Sequence, residues 1–152
     1  MNRGLLEDIE SMETVQRISE QIFKGRFDKP AADSDKPLLI IDDNPELIAA
    51  LQTVLKGHYR LLTCLGFEEA RPLATKVKVV LLDIKMAVRD GVEVFGLLKR
   101  INPDIRIIFH SAYPGDNRHA AVAAGLPHDG YLTKGEYTIP QLLAAIDGAI
   151  QK

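Results

Sequence analysis

Short continuous apolar runs alternate, from Pro37 onward, with stretches in which apolar residues recur every three or four positions. The continuous runs are typical of strands covered on both faces, and the periodic stretches are typical of amphipathic helices. The strands are predicted near 38–42, 59–64, 78–82, 105–109 and 129–133, and the helices after Asn44, near 67–76, after Asp90, near 116–124 and after Pro140. This alternation predicts a doubly wound α/β fold with a five-stranded parallel sheet.

The N-terminal part of the chain has a different pattern. From Leu5 to Phe23, apolar residues recur at intervals of three or four among charged residues, which predicts an amphipathic helix. A regular heptad is not held, so an extended coiled coil is not supported. Residues 29–37 are rich in Pro, Ala and Asp and indicate a linker. We therefore divide the 152 residues into a helical extension, 1–36, and one domain, 37–152.

Chemically useful residues follow four of the predicted strands. The carboxyl ends of parallel strands lie at one edge of a sheet, so these side chains are expected to converge. Three carboxylates, a hydroxyl and an ammonium group together suit a metal-dependent site that handles phosphate. The residues are Asp42 and Asp43 after the first strand, Asp83 after the third, Ser111 after the fourth and Lys134 after the fifth.

Composition narrows the class of function. The net charge is −2, and residues 37–152 carry 13 basic and 13 acidic residues, which predicts neither nucleic-acid binding nor membrane insertion. The single cysteine, Cys64, is expected to be a small core residue in a reducing compartment, so we expect a cytoplasmic protein. The histidines lack metal-ligand spacing and are interpreted as surface or hydrogen-bonded residues: His58, His110, His119 and His128.

Four motifs in order along the domain resemble the receiver domain of two-component response regulators, the CheY-like family. They are Asp42-Asp43, then Leu81-Leu82-Asp83-Ile84-Lys85-Met86 with Asp90-Gly91 beyond it, then Ser111-Ala112, and finally Tyr131-Leu132-Thr133-Lys134. The resemblance covers about Pro37 to Lys152. It implies a flavodoxin-like sheet with strand order 2-1-3-4-5.

The resemblance also implies roles for these residues. Asp83 would accept a phosphoryl group from a histidine kinase or a histidine phosphotransfer protein. Lys134 would neutralise one phosphoryl oxygen, and Ser111 would donate a hydrogen bond to another. Mg²⁺, or Mn²⁺, would be held by Asp43, Asp83 and the main-chain carbonyl of Lys85, with Asp42 acting through water.

Signal output is implied by the same resemblance. Ser111 and Tyr131 would change position together on phosphorylation, and the surface formed by the fourth helix, fifth strand and fifth helix would contact a downstream protein. No direct nucleic-acid binding is expected. The helix over residues 5–23 is expected to be a packing element, with homodimer formation as one use of its apolar face.

Three departures from the family pattern affect this interpretation. Gly135 follows Lys134 where the family usually has proline, so we expect a trans peptide bond there. Ala87 stands where a proline is frequent, and we expect a looser loop after the third strand. The connection over residues 125–130 is longer than usual and is expected to affect the choice of partner.

Other classes of protein remain open at the level of sequence. One is a degenerate receiver that acts without phosphorylation, chiefly because of Gly135. A phosphatase of the haloacid dehalogenase type needs a second acid two residues after its aspartate, where this chain has Lys85. A flavodoxin-like cofactor binder needs a phosphate loop after the first strand, where this chain has acidic residues. The sequence is also compatible with a fragment of a longer regulator.

Overall fold

The computed structural model describes residues 36–112 and 122–152. The helix predicted over residues 5–23, most of the linker and the first part of the helix predicted near 116–124 lie outside the described residues. Residues 122–124 are helical. Within the part of the chain that the structure describes, no helix is both long enough and apolar enough to cross a membrane.

Five parallel strands form a single sheet in the order β2-β1-β3-β4-β5, which confirms the predicted fold. The topological switch point lies between β1 and β3, where ligands bind in sheets of this kind. The strands are β1 Leu38–Ile41, β2 Leu61–Cys64, β3 Val79–Leu82, β4 Arg106–Ser111 and β5 Gly130–Thr133.

Strand β4 ends two residues later than its apolar run predicts. His110 pairs with Leu132 and Ser111 pairs with Thr133, so both polar residues belong to the strand. The predicted end at residue 109 was therefore wrong, because hydrogen bonding to β5 extends the strand beyond its apolar residues.

The helices begin at polar caps that the sequence carries. Asn44 accepts hydrogen bonds from the backbone at the start of the first helix, and Asp90 and Thr138 do the same for two others. The predicted helix over residues 67–76 is shorter and continues as a 3-10 turn containing Pro72, which has no N–H for the α-helical ladder. The helices are α1 Pro45–Leu55, α2 Phe67–Ala70, the 3-10 turn Arg71–Leu73, α3 Gly91–Ile101 and α4 Ile139–Ile150.

Both faces of the sheet are covered by helices. Every residue of β1 and β3 is buried, as their continuous apolar sequences predict. One core layer packs α2 and α3 on the sheet, and the other packs α1 and α4 on the opposite face. Cys64 lies in the first layer, as predicted, where burial and, to a lesser extent, Glu69 raise its pKa to about 11.

Candidate functional site

Three carboxylates meet beside the switch point of the sheet. Asp42 follows β1 and Asp83 follows β3, and each backbone N–H still bonds to a neighbouring strand, to Cys64 O at 3.1 Å and to Ile41 O at 3.0 Å respectively. Asp42 and Asp83 are buried, whereas Asp43 is exposed. One oxygen from each of the three carboxylates lies within 4.8 Å of the others.

Lys134 follows the edge strand β5 and reaches the carboxylates across β4. Its backbone N–H donates to Ser111 O at 2.7 Å. Its Nζ lies 2.8 Å from Asp42 Oδ2 and 3.2 Å from Asp83 Oδ1. The structure therefore brings together the acidic residues and the lysine, although they are separated by up to 92 positions in the sequence, from Asp42 to Lys134.

The site holds Asp83 in an unfavourable electrostatic position. Burial raises the pKa of Asp83 to about 6, the charge of Asp42 adds to this, and Lys134 acts in the opposite direction. For Lys134 itself, burial would lower the pKa, but the hydrogen bond and charge of Asp42 and the charge of Asp83 outweigh burial and leave the pKa raised. The ammonium group is therefore charged at neutral pH and partly compensates an excess of negative charge.

The donor set fits a hard divalent cation. Mg²⁺ and Mn²⁺ favour carboxylate, carbonyl and water oxygens, and Mg²⁺ is bound in proteins by one or two carboxylates with several waters. Asp43 is exposed and reaches the same point as the two buried carboxylates. Lys85, whose carbonyl is the fourth predicted ligand, lies in the loop two residues after Asp83, with its side chain exposed.

The loop after β3 is fastened to the site by a backbone contact that sequence reasoning missed. The N–H of Ala87 donates to Asp43 Oδ2 at 2.9 Å. A proline at this position would have no N–H to donate. The residue expected to loosen the loop therefore ties it to an acidic side chain. The signal in the sequence for this contact is Ala87 itself, which has a backbone N–H at a position where the family often has proline.

Two further contacts fix the same loop. Arg89 forms ion pairs with Glu93 at 3.1 Å and with Glu68 at 3.5 Å.

The start of helix α3 packs closely on the same loop. At Gly91, a Cβ atom would lie 2.2 Å from the carbonyl oxygen of Asp83. A side chain at this position would displace the backbone that carries Asp83, so the structure requires glycine there.

Ser111 and Tyr131 are already linked to each other. Ser111 is completely buried at the end of β4, and its side chain is hydrogen-bonded to Tyr131. Burial raises the pKa of Tyr131, and the bond from Ser111 opposes this. The ring of Tyr131 lies against Phe109 and His128, with centroids 6.2 Å away in both cases.

The backbone after Lys134 has the predicted trans geometry. Among the described residues there is no cis peptide bond, and Gly135 has a φ of 79°. His110, which sequence analysis left among surface or hydrogen-bonded histidines, is buried, and its Nε2 lies 2.8 Å from Tyr137 Oη. Burial, with the charge of Lys134 as the lesser cause, lowers the pKa of His110 to about 3, so the ring is neutral at physiological pH.

The family model for the response regulator receiver domain matches residues 38–147. The chain belongs to this family. The predicted resemblance is therefore confirmed, and the receiver fold with strand order 2-1-3-4-5 is the one observed. Receiver domains are signalling modules rather than classical enzymes, and they interact with histidine kinases.

Similar proteins include regulators and isolated receiver domains. The transcriptional regulatory protein PrrA of Mycobacterium leprae is 29% identical over 123 residues, which are 78% of this chain and 52% of PrrA. A CheY-like receiver domain protein from Methanospirillum hungatei is 20% identical, with a TM-score of 0.67, over 76% of this chain and 94% of that chain. This receiver spans about half the length of the first curated relatives that it matches.

One solved relative bears directly on the cation. The response regulator TrrA of Thermotoga maritima, solved in complex with Mg(2+)-BeF, is 25% identical, with a TM-score of 0.62, over 75% of this chain and 98% of that chain. Receiver domains typically bind Mg²⁺, and this receiver has a cluster of three carboxylates, Asp42, Asp43 and Asp83.

Proposed function

We propose that this protein is a phosphorylatable receiver of a two-component system, and that Asp83 carries the phosphoryl group. The observation that supports this most strongly is the position of the Asp83 carboxylate at the sheet edge, in contact with the Lys134 ammonium and beside two further carboxylates. A helix cap or a purely structural aspartate would not need a cation and two like charges at this distance.

In the proposed reaction, a carboxylate oxygen of Asp83 attacks the phosphorus atom of a phosphohistidine. A P–O bond to Asp83 forms, the P–N bond to the histidine breaks, and the leaving imidazole takes up a proton from solvent. Because the transition state spreads charge over the phosphoryl oxygens, positioning and cations dominate such catalysis. Lys134 would bind one of these oxygens, and Ser111 would donate a hydrogen bond to another.

The protonation states suit this reaction. A pKa of about 6 leaves Asp83 ionised at pH 7, as a nucleophile must be, and the raised pKa of Lys134 keeps its ammonium charged. We propose that Asp42, Asp43, Asp83 and the carbonyl of Lys85 hold Mg²⁺ or Mn²⁺. When bound, the cation would supply positive charge to the phosphoryl oxygens.

We propose that output begins with the bond between Ser111 and Tyr131. If Ser111 turns its hydroxyl toward a phosphoryl group on Asp83, the present hydrogen bond to Tyr131 is lost. Phosphorylation would thereby favour a second arrangement of Tyr131 on the β5 surface. A histidine kinase or phosphotransfer protein would act upstream, and a protein target would read the changed surface downstream. The equal numbers of acidic and basic residues in 37–152 support protein contact rather than nucleic-acid contact as the direct output.

The test is intact mass after incubation with acetyl phosphate and Mg²⁺. We expect one phosphoryl group on the wild type and none on Asp83→Asn. Asp90→Asn is the matched control, because Asp90 lies in the same loop but caps α3, and asparagine is an equally good cap. A wild type that reacts with neither acetyl phosphate nor a cognate kinase would contradict the proposal and leave a phosphorylation-independent interaction module.

A further inference from the structure

Lys134 is presented to the acidic residues by a tight turn. Glu136 N–H donates to Thr133 O at 3.0 Å, which closes a four-residue turn with Lys134 second and Gly135 third. Gly135 has a φ of 79°, and no described residue other than glycine has a positive φ. A negative φ at the second position followed by a positive φ at the third is the geometry of a type II turn, which strongly favours glycine there.

Both sides of this turn are attached to β4. On the near side, the N–H of Lys134 donates to Ser111 O at 2.7 Å. On the far side, Tyr137 Oη lies 2.8 Å from Nε2 of the buried His110, and the two rings are 5.5 Å apart. The turn can therefore change its path only by breaking one of these contacts or by changing its own backbone conformation.

Space does not explain the glycine. A Cβ atom built on Gly135 meets no other atom within 4 Å. An alanine would therefore fit without a collision but would have to adopt a left-handed backbone, which is unfavourable for residues with a Cβ atom. Asparagine adopts this conformation more readily than alanine. Substitution at this position thus separates the effect of backbone conformation from the effect of packing.

We propose that Gly135 is the positioning residue for Lys134. Its left-handed conformation, with the His110–Tyr137 contact holding the far side of the turn, directs the ammonium to Asp42 and Asp83 without a proline or a cis peptide bond. The proposal rests on the proposed function only for its kinetic consequence, because the ion pairs themselves are present without phosphorylation.

The experiment compares the 152-residue wild type with Gly135→Ala and Gly135→Asn. Gly148→Ala is the control, because Gly148 is a helical glycine whose Cβ would also meet no atom within 4 Å. The first readout is the proton–nitrogen correlation signal of the Lys134 ammonium, assigned by its loss in Lys134→Arg. The second is the initial rate of phosphorylation by acetyl phosphate with Mg²⁺.

We expect Gly135→Ala to lose or shift the Lys134 signal and to react about tenfold more slowly, which is the order of the disadvantage of a left-handed backbone for alanine. Gly135→Asn should recover most of both properties, and Gly148→Ala should retain them. A Gly135→Ala protein with the wild-type signal and rate would overturn the proposal. Equal impairment by alanine and asparagine would also overturn it, because backbone conformation would not be the cause.

Folding is checked by thermal unfolding of each variant. Should Gly135→Ala not fold, Tyr137→Phe carries the test, since it removes only the hydroxyl that contacts His110. We expect a weakened Lys134 signal in that variant, and an unchanged signal would overturn the proposal. If the wild type shows the ammonium signal but accepts no phosphoryl group, the proposed function fails. The comparison of the Lys134 ammonium signal between the wild type and the variants then tests the positioning of Lys134 without the rate.

Discussion

At the scale of single residues, Asp83 combines burial with like charge. Its carboxylate is buried beside Asp42, and the ion pair with Lys134 at 3.2 Å offsets only part of the cost. Groups that are held in such positions are often functional, because the strain is relieved when a ligand or reactant arrives. The bound cation and the phosphoryl chemistry proposed above would both use this excess negative charge.

This arrangement predicts a pH-dependent gain in stability for Asp83→Asn in metal-free buffer. The pKa of Asp83 is raised from 3.8 to about 6, so the folded protein binds more protons than the unfolded chain between these values. Stability from this group is present below the lower value and is lost as pH rises through the higher one. The variant should be more stable than the wild type by about 3 kcal/mol at pH 8, since each pKa unit corresponds to about 1.4 kcal/mol.

The measurement is urea unfolding of both proteins across that range in buffer containing a chelator. The difference should approach zero near the ordinary carboxyl pKa and reach its full size above the raised one. Taking the difference between the two proteins cancels the titration of the shared groups that do not interact with Asp83. A difference that does not change with pH would show that Asp83 has an ordinary pKa.

Several site residues could be predicted because they stand at the ends of apolar runs. Asp42, Asp83 and Lys134 follow strands, and the rule that parallel strands end at one edge is enough to place them near one another. The Ala87 N–H and the His110–Tyr137 contact could not be predicted in this way. Each depends on the distance between a loop and a strand, which the hydrophobic pattern does not contain.

At the scale of elements, helix α3 carries two glycines with opposite roles. A Cβ on Gly91 would lie 2.2 Å from the Asp83 carbonyl oxygen and 2.7 Å from Ile84 Cα, whereas a Cβ on Gly96 would meet no atom within 4 Å. Close packing of the helix start against the loop therefore requires the first glycine and not the second.

We expect Gly91→Ala to lower the free energy of unfolding by about 1–3 kcal/mol, as overpacking does. Gly96→Ala, the matched control on the same helix, should raise it by about 0.5–1 kcal/mol, because alanine has the higher helix propensity. Chemical denaturation of both variants provides the comparison. Equal effects would show that the helix does not approach the Asp83 backbone closely.

The errors of prediction at this scale have local causes. Strand β4 gains His110 and Ser111 because β5 pairs with them, and an apolar run cannot show where a neighbouring strand ends. The predicted helix over residues 67–76 ends at Ala70 and continues as a 3-10 turn, because Pro72 has no N–H for the α-helical ladder. The helix starts after Asn44 and after Asp90 were predicted correctly, because the chemistry that caps a helix is local.

At the scale of the whole molecule, the described residues form a complete sheet with two core layers. The contact of Tyr59 Oη with Asp147 Oδ1 at 2.6 Å joins the start of β2 to helix α4 across one of these layers. The residues of the candidate site extend from Asp42 to Lys134. All of them lie in the predicted domain 37–152, and its division from the 1–36 extension remains a prediction.

We therefore expect a protein lacking residues 1–36 to accept a phosphoryl group at the wild-type rate. Its self-association or its affinity for a partner should change, because the amphipathic pattern of residues 5–23 provides an apolar face for packing. Mass spectrometry measures the first property, and light scattering with a binding titration measures the second. Unchanged scattering together with unchanged affinity would contradict a role for the extension.

Formation of an acyl phosphate on Asp83 is tested by locating the modified residue. Protein treated with acetyl phosphate and Mg²⁺ is reduced with borohydride, which converts an aspartyl phosphate to homoserine, and the peptides are then fragmented in a mass spectrometer. We expect homoserine at position 83. Homoserine at another position, or unmodified aspartate at 83 in protein that has taken up phosphate, would contradict it.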